Sequence, residues 1–107
     1  SHMRPILVMT TAPDLTVAER LAAMLVEARL AACVHIMPLG TSVYRWQGAV
    51  ERAAEHSLLI KSTYEHFHQI EATLRAHHPY EIPEIICQTI DAGSPGYLQW
   101  LDDSVQT

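Results

Sequence analysis

The sequence predicts an α+β fold of the ferredoxin-like, split βαβ kind: one sheet with helices on one face and an unusually long hairpin between its second and third strands. Three observations predict it. Apolar runs and amphipathic stretches follow one another in the order strand, helix, strand, strand, helix, strand, helix. Two capping-box patterns, Thr16 with Glu19 and Ser62 with Glu65, stand where the first two helices should begin. Finally, the segment His77-His78-Pro79-Tyr80-Glu81-Ile82-Pro83-Glu84-Ile85-Ile86 cannot be helical, because its two prolines hold His78 and Ile82 extended. It is a stiff crossing from helix to strand, the kind of loop on which a scaffold displays binding groups.

Each element has its own signal. Arg4 to Thr11 is a short apolar run ended by polar residues and Pro13, as a buried strand would be. The helix after it places Val17, Leu21, Met24, Leu25 and Ala28 on one face and ends near Arg29. Ala32 to Met37 reads as strand, Pro38-Leu39-Gly40 as a kink, and Thr41 to Trp46 as its continuation. Gln47-Gly48 is a tight-turn signal, with glycine supplying a positive φ, and Ala49 to Ser62 is the return strand. The helix from Glu65 to Ala76 buries Phe67, Ile70 and Leu74, with His66 and His68 expected in solvent. Glu84 to Asp91 is a nearly continuous apolar run and reads as a central strand. Ser94-Pro95 then opens a last short helix with Tyr97, Leu98, Trp100 and Leu101.

The hairpin predicts association. A strand of some fourteen residues, at about 3.3 Å each, reaches roughly 46 Å. A compact domain of this length spans only about 34 Å, from a radius of gyration near 13 Å. The ribbon must therefore overhang its own domain, exposing free edges and the rings of Tyr44 and Trp46, and pairing with other subunits is the ordinary remedy. An obligate oligomer is expected.

Composition narrows the function. The chain has 107 residues, 49% of them hydrophobic, and is assigned to one domain over residues 4–107, with Ser1-His2-Met3 set aside as a tag remnant. A net charge of −5 gives no basic footprint for nucleic acid. No run is long and apolar enough for a membrane span and no signal peptide is evident, so a cytoplasmic protein is expected. Cys33 and Cys87 lie within strand-like runs without a C-x-x-C pair and read as free, buried thiols.

Several residues could carry chemistry. Cys33 and His35, two apart on a strand, leave the same face, and thiolate with imidazole suits copper or zinc. Two ligands are fewer than a structural metal site needs, and a buried Cys beside a hydrogen-bonded His accounts for the same pattern. His77 and His78 with Glu81 and Glu84 form a second candidate cluster for a divalent metal, set against a helix-end His beside solvated acids. Lys61, closing the apolar run Leu58-Leu59-Ile60, could meet an anion or pair with Glu81. No phosphate loop, dinucleotide turn, zinc-protease helix or nucleophile elbow is present, and no enzyme is predicted. Glu81 acting as a base with Tyr80 has no signature behind it.

The runs Ala31-Ala32-Cys33-Val34, Ser42-Val43-Tyr44-Arg45-Trp46-Gln47-Gly48, Glu55-His56-Ser57-Leu58-Leu59-Ile60-Lys61, His78-Pro79-Tyr80-Glu81-Ile82-Pro83-Glu84-Ile85-Ile86 and Tyr97-Leu98-Gln99-Trp100 are colinear with, and resemble, the CutA divalent-cation-tolerance proteins. The resemblance implies a fold like that of the PII signalling proteins, a homotrimer joined through the hairpins, and a part in tolerance of copper or another divalent metal ion. It also implies a pocket between subunits, which by position would gather Cys33, Trp46, Lys61, His78, Tyr80 and Glu81, with Trp100 nearby. Many family members have Asn where this chain has His35, which adds an imidazole beside the Cys and strengthens the expectation of metal binding. A less marked departure is Lys61-Ser62, where Lys-Thr is frequent. Two functions are thus expected in competition. One is a metal-binding tolerance protein using Cys33 and His35. The other is a PII-like signalling module taking a small anionic ligand on Lys61 and relaying it to an unknown protein partner.

Overall fold

The computed structural model describes residues 4–106, so the expected tag remnant Ser1-His2-Met3 and the terminal Thr107 lie outside the described residues. Among the described residues the elements follow the expected order with one more strand than expected, because the stretch at Pro38-Leu39-Gly40 breaks the second strand into two, giving five strands and three helices. They are β1 (Pro5–Ala12), α1 (Leu15–Glu27), β2 (Cys33–Ile36), β3 (Gly40–Trp46), β4 (Ala49–Thr63), α2 (Phe67–His77), β5 (Ile86–Thr89) and α3 (Pro95–Ser104). The sheet runs β2-β4-β1-β5, antiparallel throughout, with β3 continuing along β4 beyond β2. Because β4 is inserted between β1 and β2, the β1-α1-β2 unit is split, as predicted.

Alternation along the strands decides which face is covered. Ile6, Val8, Leu58 and Ile60 are fully buried against Ala18, Leu21 and Leu25 of α1 and Ile70 and Leu74 of α2. Val34, Ile36, Ile85 and Cys87 complete that layer from the two edges. The alternate residues, Leu7, Met9, Cys33, His35, Leu59, Lys61 and Ile86, fall in register on the opposite, open face. At the Pro5–Thr63 end α3 closes the sheet, with Leu101 and Val105 buried.

The expected helix caps are replaced. α1 starts earlier than the Thr16–Glu19 pattern suggested, and Asp14 is its N-cap, accepting the Val17 N–H at 2.9 Å. Ser62 does not cap α2 either, because β4 runs on through Thr63 and the buried Ser62 hydroxyl donates to the Leu30 carbonyl at 2.6 Å. A 3-10 turn at Tyr64–His66 precedes α2, and Glu65 turns back to the Arg4 backbone and guanidinium. His66 is buried rather than solvated, sharing a 2.6 Å hydrogen bond with the Thr63 hydroxyl. His68 is exposed, as expected.

The last strand departs most. β5 holds only four residues and lies at the edge of the sheet, not in its centre. Its apolar run is two-sided: Ile85 and Cys87 reach the core, whereas Ile86 remains 49% exposed on the open face.

The hairpin overhangs as predicted. Its turn places both Gln47 (φ 49°) and Gly48 (φ 84°) in the left-handed region, the type I′ geometry whose twist matches the strands. The molecule measures 46 × 25 × 23 Å with a radius of gyration of 14.4 Å. Its accessible surface, 6661 Å², exceeds the about 6,000 Å² of a compact monomer of this mass.

Candidate functional site

The predicted site residues fall into two groups at different heights on the open face. Lys61 and Glu55, one from each group, are six positions apart on β4, which is about 20 Å of strand.

The first group surrounds the start of β2. Cys33 lies directly opposite Lys61, whose ammonium Nζ is 3.9 Å from the Cys33 sulfur. His35 follows on the same face, exposed, opposite Leu59. Cys33 and Cys87 are both half-buried rather than buried, and neither is in a disulfide. From α3, Tyr97 lies close enough that its phenol is pushed up, first by burial and then by the Cys33 sulfur. Trp100 meets Tyr97 in a tilted contact, ring centroids 5.4 Å apart and planes at 40°, which brings it to this end of the sheet. Cys87, turned into the core, has a thiol pushed up by burial and is not part of the site.

The second group joins the Pro-bounded connector to the hairpin. His78 is buried, its Nε2–H donating to the Thr11 carbonyl at 2.6 Å while Nδ1 accepts the Tyr80 N–H at 3.1 Å. Those two bonds assign the ring proton to Nε2 and lock the connector onto the end of β1. Tyr80, its ring 4.8 Å from that of His78, donates its hydroxyl to Glu55 Oε2 at 2.7 Å, and the Thr11 hydroxyl reaches the same oxygen at 3.0 Å. Burial alone would raise the Glu55 carboxyl. The hydroxyls of Ser42, Tyr80 and Thr11, and then His78, outweigh it and hold the group below its ordinary value. The Tyr80 phenol is pushed far up, by burial and then by the bond and charge of Glu55.

This arrangement floors an open groove of about 520 Å³ lined by Thr11, Ser42, Tyr44, Trp46, Glu55 and the connector residues Pro79 to Ile82 and Glu84. Trp46, Tyr80 and Glu81 are therefore brought together, with His78 as the support beneath. Cys33, His35, Lys61 and Trp100 are not among them. The cluster of His77 and His78 with Glu81 and Glu84 does not form, because His78 is turned inward and His77 points to solvent. Among the described residues no three His, Cys, Asp or Glu side chains gather to hold a metal ion.

Glu55, Thr11 and Ser42 escaped the sequence reading, and Tyr44 was legible there only as an exposed ring of the hairpin. A partial signal was there: Ser42, Tyr44 and Trp46 alternate along β3 and so share a face. Glu55 becomes visible only through the β3–β4 register, where it opposes Gly40, diagonal to Ser42.

A profile of the family described as CutA1 divalent ion tolerance protein matches residues 6–104. The divalent-cation tolerance protein CutA of Yersinia pestis (strain Pestoides F) is 39% identical over 105 residues, spanning 98% of this chain and 88% of the relative. The divalent cation tolerance protein (Cut A1) of Thermus thermophilus superposes with a TM-score of 0.93 at 43% identity, covering 95% of this chain and 99% of that one. A CutA from Archaeoglobus fulgidus, described as a periplasmic divalent cation tolerance protein, gives 0.92 at 35% identity, with 95% and 99% covered.

Proposed function

The chain belongs to the CutA1 divalent ion tolerance family, and from that premise we propose that it is a homotrimeric divalent-cation tolerance protein that binds copper at a site between subunits. The observation carrying this reading is the split of the site residues. One protomer holds Cys33 and His35 on one face, a soft and a borderline donor suited to copper, but offers no third ligand beside them among the described residues. It also leaves uncovered Val43, Tyr44 and Trp46 on the hairpin, Ile82 on the connector, Ile86 on β5 and Trp100 on α3. Those surfaces flank both groups, so a neighbour seated on them would complete each half of the pocket with the other. The number three rests on the resemblance to the family. Cys33 and His35 are the proposed metal donors, and Trp46, Lys61, His78, Tyr80, Glu81 and Trp100 the proposed walls.

Calorimetric titration of the reduced protein with Cu(I) and Cu(II) tests the assignment. Binding near one metal per chain, lost in Cys33→Ser and weakened in His35→Asn, is expected. Binding indifferent to both changes removes the ligand assignment.

The second reading, a PII-like signalling module, draws on Lys61. The residue is half-buried on the open face, with its ammonium beside the Cys33 thiol. An anion would have to be held at that end, since the groove beside Tyr80 is lined by three carboxylates and no cation. The family is one of tolerance proteins, not of established enzymes, and no catalytic role is proposed. No helix among the described residues is long and apolar enough to cross a membrane. A cytoplasmic site of action is proposed, and because the Archaeoglobus relative is described as periplasmic, cell fractionation is the test.

A further inference from the structure

We propose that His78 is an acid-released latch, seating the Pro-bounded connector on the sheet only while its ring is neutral. The residue is 9% exposed and its ring is bonded at both nitrogens, Nε2–H donating to the Thr11 carbonyl at 2.6 Å and Nδ1 accepting the Tyr80 N–H at 3.1 Å. Those partners lie on β1 and on the connector, so one side chain joins the two. A neutral imidazole donates at one nitrogen and accepts at the other, whereas an imidazolium donates at both. Once Nδ1 carries a proton, it meets the Tyr80 N–H donor against donor, and that bond is lost. The His78 backbone N–H stays on the Leu74 carbonyl at 2.8 Å, so α2 keeps its last turn and the chain is freed only beyond it.

The surroundings make the charged ring attainable. Glu55 on β4 is close enough for its carboxylate to attract an imidazolium at His78. On the connector itself the Tyr80 ring lies 4.8 Å away, and Tyr44 on β3 and Asp14 at the start of α1 act on its phenol. From α1, Arg20 donates to the neighbouring His77 carbonyl at 3.3 Å, with Arg20 and His77 both exposed. Thr11 on β1 presents a hydroxyl and a carbonyl, neither of which titrates. The released ring binds a proton at Nδ1 that the latched ring does not, so falling pH favours release. The connector then keeps the Tyr80–Glu55 bond but loses its backbone anchor. Release withdraws Tyr80 and Glu81 as walls of the proposed pocket and Ile82 from the surface offered to a neighbour, whatever the pocket holds.

The test is NMR of the reduced, assembled protein with isotope-labelled histidine and tyrosine, titrated from about pH 8 to about pH 5, the range in which imidazoles ordinarily gain charge. The His78 ring nitrogens report the proton on Nδ1, and the Tyr80 amide reports the latch. The Tyr80 protection factor should fall roughly tenfold in step with protonation of the ring. In His78→Asn the side-chain carbonyl accepts the same N–H as an Asx turn and takes no proton, so protection there should not change across the range. Tyr80→Phe keeps the backbone N–H and lacks the Glu55 bond, and its residue-80 amide should lose protection over the same interval as in the wild type. A response that vanishes in Tyr80→Phe belongs to the Tyr80–Glu55 pair and overturns the proposal. So does a Tyr80 amide that stays protected beside a charged ring, or a ring that remains neutral until the whole chain unfolds. Should His78→Asn leave the amide unprotected at every pH, the wild-type ring and amide curves decide alone, coincidence supporting the latch and independence overturning it.

Discussion

Tyr80 donates a hydrogen bond from its hydroxyl to a carboxylate 25 residues earlier in the chain, and that bond joins the two made by His78 in holding the connector. A hydrogen bond to a charged acceptor contributes about 1.5–3 kcal/mol. Tyr80→Phe keeps the ring and removes the bond, so a loss at the lower end of that range is expected in chemical denaturation, because the pair is only partly buried. The pH dependence has two limbs. Glu55 has a folded pKa below its ordinary value of 4.5, so its contribution is complete above that value and is lost as pH falls through the folded pKa. Tyr80 has a folded pKa above its ordinary value of 10.0, so its contribution is complete below pH 10.0 and is lost as pH rises beyond it. Tyr80→Phe should flatten much of the alkaline limb and move the Glu55 carboxyl upward, readable by carbon-detected NMR titration. An unchanged alkaline limb would show that the bond does not couple to folding. Sequence pattern revealed the stiffness of the connector because proline acts locally. Glu55 was hidden because its partnership is set by long-range register, which no local pattern records.

At the scale of elements, the end of α1 shows how a side chain can overrule a backbone preference. Arg29 sits at φ 59° where glycine is usual, with Arg29 N–H on the Val26 carbonyl and Leu30 N–H on the Leu25 carbonyl, a Schellman ending. The strain, of order 1 kcal/mol, is offset because the guanidinium donates to the carbonyls of Asp103, Ser104 and Val105 at 3.2–3.4 Å. The Arg29 carbonyl meanwhile accepts the Gln106 N–H at 3.0 Å. One residue therefore ends α1 and holds the end of α3. Arg29→Ala keeps the strain and loses the clasp, and should cost about 1–2 kcal/mol with faster hydrogen exchange across α3. Arg29→Gly relieves the strain and should recover part of the stability but none of the α3 protection. Equal α3 protection in all three proteins would mean the clasp is idle. The helices themselves were legible from their apolar stripes, but their caps were not. Asp14 displaced the first capping box, and the second gave way to a 3-10 turn that leaves α2 without a side-chain cap, because the capping position depends on where the preceding strand or turn lets go, and β4 continued one residue further than its pattern implied.

At the scale of the whole molecule, a long thin chain with an uncovered sheet face has to find its remaining buried surface elsewhere. The overhang was legible because strand length is simple arithmetic, and the 46 Å long axis agrees with it. The position of β5 was misjudged for a related reason. Its residues are apolar on both faces, which in a lone chain means a central strand, yet it lies at the edge with Ile86 facing outward. A two-sided apolar strand at an edge is explained if a second subunit supplies the missing layer. Assembly then contributes to folding, and the apparent melting temperature must rise with protein concentration. Light scattering should give the mass of three chains at micromolar concentration. Ile86→Lys leaves the core face of β5, Ile85 and Cys87, intact while placing a charge on the open face, so the variant should retain its secondary structure and lose mass. Its melting temperature should be lower and no longer depend on concentration. A wild-type mass of one chain would defeat the assembly argument outright, whereas an Ile86→Lys trimer with unchanged melting would move the interface away from β5 and onto the hairpin alone.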